Sequence, residues 1–245
     1  MSYKNVFRRY ELKYLLTPEQ KAAVLCGIEP YMKLDNYGRT TIRNLYFDDG
    51  SYRLIRRSIE KPAYKEKMRI RSYGQSTPNS TVFVELKKKY DHVVYKRRIA
   101  LSECDAMAWL GGNACPVDTQ ISREIDYFMS HYGDLHPAVF LSYEREAYYN
   151  RAGGDFRVTF DENILARESD LSLCSEAFGR PVLPKDRTLM EIKCSGAIPL
   201  WMVEILSKER IYKTSFSKYG TAYTEYILPR ILNKDLQKEL IYNAN

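Results

Sequence analysis

Charged and apolar residues alternate along six segments of this chain. Successive side chains of a β-strand point to opposite faces, so each segment predicts a strand with one charged and one apolar face. In 7–16, Arg9, Glu11 and Lys13 oppose Tyr10, Leu12 and Tyr14. In 64–73, Lys67, Arg69 and Arg71 oppose Met68 and Ile70. In 81–90, Glu85, Lys87 and Lys89 oppose Val82, Val84 and Leu86, with Lys88 breaking the split. In 93–101, Lys96 and Arg98 oppose Tyr95 and Ile99, with Arg97 out of step. In 155–165, Arg157, Thr159 and Asp161 oppose Phe156, Val158 and Phe160. In 187–195, Glu191 and Lys193 oppose Met190, Ile192 and Cys194. Two more strands are predicted at 39–49 and 137–149, the second carrying Arg145 between Glu144 and Glu146.

Helical signals fall between these strands. Thr17, Pro18 and Gln20 supply an N-cap, a first-turn proline and a capping-box partner for a helix after strand one. A short helix is predicted at 51–61, stopped by Pro62, and two more at 102–111 and 118–132. Pro199 opens another to about 209, and a last amphipathic helix is predicted over 218–240. Asp91-His92 is short enough for a hairpin, and "NRAGGD" reads as a turn. The segment 168–187 has weak periodicity and reads as a loop or short helix. With no linker and no internal repeat, residues 1–245 read as one domain.

So much sheet in one chain predicts an α+β fold, and a closed barrel is one way to remove its edges. The 21 tyrosines fit that emphasis on strands. A composition of 44% hydrophobic and 28% charged residues supports a sizeable core. The formal net charge of +7 favours an anionic partner. The five cysteines form no CxxC pair and the three histidines no ligand-spaced set, so reduced thiols are expected rather than disulfides or a zinc site. No apolar signal segment or membrane-length run is found, so a cytoplasmic protein is expected.

Any one of the six strands, taken alone, is a half-buried strand with a solvated charged face. Six together are different, because Lys and Arg dominate the polar faces taken together and most carry one carboxylate. Arginine is suited to bidentate phosphate recognition. If helices cover the apolar faces, the charged faces turn inward and line a lumen. Burying unpaired charge there costs several kcal/mol per ion, so the lumen must hold water, counter-charges or a polyanion. Glu11, Glu85, Asp161 and Glu191 suit Mg²⁺ or Mn²⁺ better than phosphate. Local alternatives stay open: Asp161 as a turn cap, Glu85 as a simple partner of a neighbouring Lys, and Arg56 and Arg57 as surface charges or contacts for a product. Tyr10, Tyr14, Tyr64, Tyr73 and Tyr95 read as packing residues.

The ordered stretches "RRYELKY", "LYFDD", "MRIRSYG", "VFVELKK", "YKRRIAL", "SYEREAYYN", "FRVTFDENI", "LMEIK" and "SFSKYG" resemble the VTC domain, a polyphosphate polymerase domain among the triphosphate tunnel metalloenzymes, related to CYTH proteins. The resemblance spans about 7–220. It implies an antiparallel eight-stranded tunnel with a charged lumen and helices packed outside. It also implies an ATP-dependent enzyme that moves the γ-phosphate onto inorganic polyphosphate and releases ADP, using Mn²⁺ or Mg²⁺. On this resemblance Arg69, Arg71, Arg145 and Arg157 clamp the triphosphate. Lys13, Lys87, Lys96, Arg98 and Lys218 match basic tunnel positions that bind substrate, and strand parity adds Arg9, Lys67 and Lys193; Glu191 matches the metal-binding glutamate, with Glu85, Glu11 or Asp161 expected to join it. Arg9 stands where CYTH proteins carry the first Glu of ExExK, a departure toward the VTC branch. ATP and polyphosphate are the expected partners, without nucleic acid as primary ligand; any membrane coupling would come from another chain. A tunnel triphosphatase and a non-catalytic polyphosphate- or nucleic-acid-binding module are the alternatives.

Overall fold

The computed structural model describes residues 10–91 and 93–233. Its elements run β1 (Tyr10–Leu16), α1 (Pro18–Ile28), β2 (Met32–Leu34), β3 (Thr40–Asp48), α2 (Arg53–Ile59), β4 (Tyr64–Tyr73), β5 (Thr81–Tyr90) and β6 (Val93–Ser102). They continue with α3 (Glu103–Leu110), α4 (Gln120–Tyr132), β7 (His136–Asn150), β8 (Arg157–Arg167), β9 (Arg180–Pro181), β10 (Thr188–Cys194), α5 (Leu200–Lys208), β11 (Lys213–Thr214) and α6 (Lys218–Ala222). The class is α+β, as the pattern predicts. The capping box forms at Thr17: its hydroxyl accepts from Gln20 N at 3.2 Å, and its own N–H donates to Gln20 Oε1 at 3.1 Å. Two residues join β5 to β6, with Asp91 left-handed at φ 41°, and Gly153 and Gly154, both at φ 86°, take the turn between β7 and β8.

All strands belong to one antiparallel sheet, ordered β11-β1-β10-β8-β7-β3-β4-β5-β6, with β2 on β7 and β9 on β8. The expected closed eight-stranded barrel is therefore corrected to an eleven-stranded sheet whose path ends at β6 and β11. The reason is local. β11 pairs with Lys13 and Tyr14 and so takes the free edge of β1 that a closing strand would need. The sheet still curls until side chains of β1 and β5 meet: Lys87 Nζ lies 3.6 Å from Glu11 Oε2. The charged faces are thus concave, and side chains bridge the open seam.

Helices cover the opposite, convex face in two places. Trp109 and Leu110 of α3 and Ile125 and Phe128 of α4 pack on Met68, Ile70, Val84 and Leu86. Val24 and Ile28 of α1 and Met202 and Leu206 of α5 pack on Val158, Phe160, Met190 and Ile192. Each fully buried side chain of this kind contributes about 2 kcal/mol. A third cluster departs from the expectation of helices outside only. Tyr219 and Ala222 of α6, with Tyr223 and Ile227 of the π-helical segment Tyr223–Ile227, pack on Tyr46, Leu141 and Leu189. Register puts those three on the concave face: Tyr46 lies opposite Arg69, Leu141 opposite Asn44, and Leu189 opposite Asp161. α6 therefore plugs the trough rather than covering it.

The predicted last helix is also modified. It starts at Lys218, widens into the π-helical segment and resumes through 228–233. Its predicted remainder, 234–240, lies outside the described residues, as do Arg9 and the first residues of strand one. The weakly periodic 168–187 segment buries Leu173, Val182 and Leu183 in the core clusters and is held besides by two buried arginines. Arg167 donates to the carbonyls of Asp170, Glu176 and Phe178 at 2.9–3.1 Å, and Arg43 to that of Ser175.

Candidate active site

Backbone register lines the charged rows up across the trough. On one wall Glu11 lies opposite Lys193, Lys193 opposite Arg157, Lys13 opposite Glu191, and Arg145 opposite Asp161. On the other, Arg69 lies opposite Glu85 and Glu85 opposite Arg98, while Lys67 lies opposite Lys87 and Lys87 opposite Lys96. Glu144 and Glu146 point the other way: Glu144 accepts from Arg39, and Glu146 lies 3.2 Å from Lys21. The register shift in the β7–β8 pairing between Ser142 and Glu144 puts its extra residue on β8, so Leu141, Tyr143 and Arg145 of β7 keep one face.

Two carboxylate-centred clusters result. Asp161, fully buried, accepts from Arg145 Nε and Nη2, both at 2.6 Å, and from Lys218 Nζ at 2.6 Å. Glu191 lies 2.8 Å from Lys193, 3.3 Å from Lys218, 3.4 Å from Arg145 and 3.5 Å from Lys13. Burial works against charge on both acids, yet their cations hold both below the usual carboxylate range. Glu11, 3.4 Å from Lys13, also resists burial and is held down at about 2 by Lys87 and Lys13. On the facing wall Glu85 accepts from Arg69 Nε and Nη2 at 2.9 and 2.8 Å, from Arg98 at 2.8 Å and from Lys96 at 2.7 Å. These geometries set aside the turn cap for Asp161, and they give Glu85 three cationic partners.

Arg71 reaches neither cluster. Its Nε donates to Asn44 Oδ1 at 2.9 Å and its Nη2 to the Tyr143 hydroxyl at 3.2 Å. Arg157 sits at the solvent-exposed rim, apart from the other three predicted clamp arginines. Lys67 is half-buried, and its Nζ donates to Ser217 Oγ at 3.3 Å. Burial first, then Lys87, Lys13, Lys65 and Arg69, push it down to about 7. A polyanion entering this row reverses that cause and restores the proton. Tripolyphosphate binding should therefore draw protons onto the protein at about pH 8, where Lys67 and Lys96, the latter lowered by burial to about 8, are both partly neutral, and close to none at about pH 6. Calorimetry in buffers of different ionisation enthalpy measures this, and Lys67→Met should remove the larger part of the uptake, leaving that of Lys96.

Sequence reasoning missed the neutral groups that orient these cations. Tyr46 OH accepts from Arg69 at 2.9 Å, Tyr73 OH from Arg98 at 2.8 Å, and Asn44 from Arg71. Tyr143 is buried with the Lys218 ammonium 4.6 Å from its ring centre. Burial raises its hydroxyl, but Arg145, Arg71 and Lys218 outweigh that and bring it to about 8. The available signal was parity: each of these residues shares the charged rows' face. Of the five tyrosines read as packing, Tyr14 is buried, whereas Tyr10 and Tyr73 are about half exposed.

The donors suit a hard divalent cation only in part. Both oxygens of Asp161, of Glu191 and of Glu11 already meet cations, Asp161 being the most deeply buried of the three, and Glu85 lies in a separate cluster. Glu191 and Glu11 share Lys13 and are the carboxylates placed to give oxygen ligands together. No group of three or more acidic, His or Cys side chains suited to a metal ion is found among the described residues. Phosphate oxygens would complete the shell. A separate cavity of about 630 Å³, lined by Tyr52, Phe178, Arg180, Tyr226 and Arg230 among others, contains none of the predicted residues.

The sequence profile of the VTC domain matches residues 8–227. A curated relative, vacuolar transporter chaperone complex subunit 4 of Trypanosoma cruzi (strain CL Brener), is 23% identical, with 88% of this chain and 34% of the relative covered. The chain thus spans about a third of that relative's length. Among solved structures, a putative adenylate cyclase from Bacillus halodurans matches with TM-score 0.54 at 14% identity, covering 87% of this chain and 94% of that one. A putative adenylyl cyclase from Hippeastrum, described as having a dominant triphosphatase activity, matches with TM-score 0.52 at 17% identity, covering 87% and 94%. At these identities the structural likeness shows a shared fold.

Proposed function

The chain belongs to the VTC domain family, and from that premise we propose that it is a metal-dependent polyphosphate polymerase, transferring the γ-phosphate of ATP to inorganic polyphosphate with release of ADP. One observation carries the reading: cations from β1, β4, β5, β6, β7 and β10 converge on one concave face. The extent of that face favours a chain over a single triphosphate. Beyond the Arg69–Glu85–Arg98 row, the same face continues through Lys67–Lys87–Lys96 to Lys65–Lys89. Rows on one face repeat about every 7 Å along a strand.

Arg69, Arg71 and Arg145 bind and align the triphosphate, with Arg157 at the rim. Lys13, Lys67, Lys87, Lys96, Arg98, Lys193 and Lys218 hold the chain and its end. An oxygen of the chain's terminal phosphate attacks the γ-phosphorus; the bond to the bridging β-oxygen breaks, and ADP leaves with the electron pair. That oxygen is already anionic near neutral pH, so alignment and charge neutralisation suffice without a general base. Glu191 with Glu11 would hold a Mn²⁺ or Mg²⁺ ion, which would supply neutralisation of phosphate charge. The site works within a single domain, in the cytoplasm. No helix among the described residues is long and apolar enough to cross a membrane.

The test is product analysis. Purified protein with ATP and Mn²⁺ should release ADP and build polymer resolvable on a polyacrylamide gel. Orthophosphate without polymer would reassign the chain to tunnel triphosphatases. No turnover, with tight RNA binding, would make it a binding module.

A further inference from the structure

Two of the sequence motifs, "LYFDD" and "SFSKYG", meet at a place the proposed chemistry does not use. Asp48, fully buried at the end of β3, accepts four hydrogen bonds. Oδ1 takes Leu54 N at 2.8 Å and Asp49 N at 3.1 Å; Oδ2 takes Ile55 N at 3.0 Å and the Tyr219 hydroxyl at 3.0 Å. One carboxylate thus fixes the start of α2 and the start of α6 together. Burial raises the Asp48 carboxyl, and burial with the adjacent Asp48 keeps the Tyr219 phenol protonated as a donor.

Tyr219 is flanked by residues of both trough walls. Its ring stacks on Tyr46 with centres 4.8 Å apart, and Tyr46 OH accepts from Arg69. The residue before it, Lys218, lies 2.6 Å from Asp161 and 3.3 Å from Glu191. Ser217, one further back, accepts from Lys67 and caps Gly220 N at 3.1 Å. The packing leaves little slack: a Cβ on Gly220 would lie 3.0 Å from Ser217 and 3.8 Å from Ile59 of α2. α6 is one short turn leading into a π-helical segment, so its own hydrogen bonds do little to fix its register.

We propose that Asp48 and Tyr219 form a positioning pair that sets the register of α6, holding Lys218 against Asp161 and Glu191 where the polyphosphate end binds. The pair acts through Lys218, so the inference rests on the proposed function and adds to it a residue pair outside the phosphate contacts. Any conserving change to the pair should matter only while Lys218 is present.

A double-mutant cycle read by calorimetric binding of inorganic tripolyphosphate, without metal, tests this. Tyr219→Phe, which keeps the ring and its stacking, should weaken binding about fivefold, the scale of one ordinary hydrogen bond. Lys218→Ala should weaken it about twentyfold, and the double variant should match Lys218→Ala within about twofold, because coupled residues are non-additive. Asp48→Asn gives a second cycle with the same expected outcome, and thermal melts confirm that each variant folds. A double variant weakened by the product of the two single effects would overturn the positioning role, leaving tripolyphosphate binding and the proposed function in place. Wild-type protein that fails to bind tripolyphosphate would overturn both.

Discussion

Arg69→Ala is expected to lower polymer synthesis by about a thousandfold, the scale associated with removing a guanidinium from a phosphoryl-transfer site. Its two bonds to Glu85 and one to Tyr46 fix the guanidinium in place before substrate arrives. The fold should survive. Glu85 keeps Arg98 and Lys96, so removing Arg69 does not strand a buried carboxylate, and the stability cost should stay near about 2 kcal/mol rather than the larger cost of an orphaned charge. Urea unfolding and an activity assay on the same preparation check both halves. Near-normal synthesis by a folded Arg69→Ala protein would remove that wall from the site.

The second large effect is expected at Glu191, with a sign that separates chemistry from damage. Glu191→Gln keeps shape but removes the negative charge shared by Lys13, Lys193, Lys218 and Arg145. Metal-dependent turnover should fall by about a hundredfold or more, with the Mn²⁺ concentration needed for half activity rising. Tripolyphosphate binding without metal should instead tighten, because the four cations lose a competing anion. Parallel metal titrations and metal-free calorimetry read the two directions. Loss of both activity and metal-free binding would identify Glu191 as structural.

The two effects depend on a geometry only partly visible in the sequence. Strand parity was legible, because a period of two is strict: Lys67, Arg69 and Arg71 were separable from Met68 and Ile70 without any partner. Which face turned inward was not legible in one strand, since it depends on Trp109, Ile125 and Phe128 covering Met68 and Ile70 from another part of the chain. The open seam was not legible either. It follows from β11, two residues whose pairing with Lys13 and Tyr14 has no signal beyond the fold itself. The same limit applies to the carboxylates. Glu85 and Glu191 look alike in their strands, and only the sheet order places them on facing walls with different cations. Tyr46, Asn44 and Tyr143 passed unnoticed because neutral side chains do not mark a charged face, although their positions place them on it.

The plug formed by α6 shows how tertiary context overrode a local pattern. The amphipathic stretch from Lys218 predicted one long helix, and its apolar side does find a core. That core is the apolar end of the concave face, so Lys218 and Ser217 are delivered into the trough instead of onto the outer surface.

The central claim is that the concave face, and not the outer surface, is the polyphosphate site. A crystal structure of the protein grown with tripolyphosphate and Mn²⁺ tests it most directly. The account predicts phosphate oxygens within hydrogen-bonding distance of Arg69, Arg145 and Lys67, with electron density for the metal beside Glu191. Phosphate bound only on the outer surface, with the Arg69–Glu85 and Arg145–Asp161 pairs untouched, would contradict it.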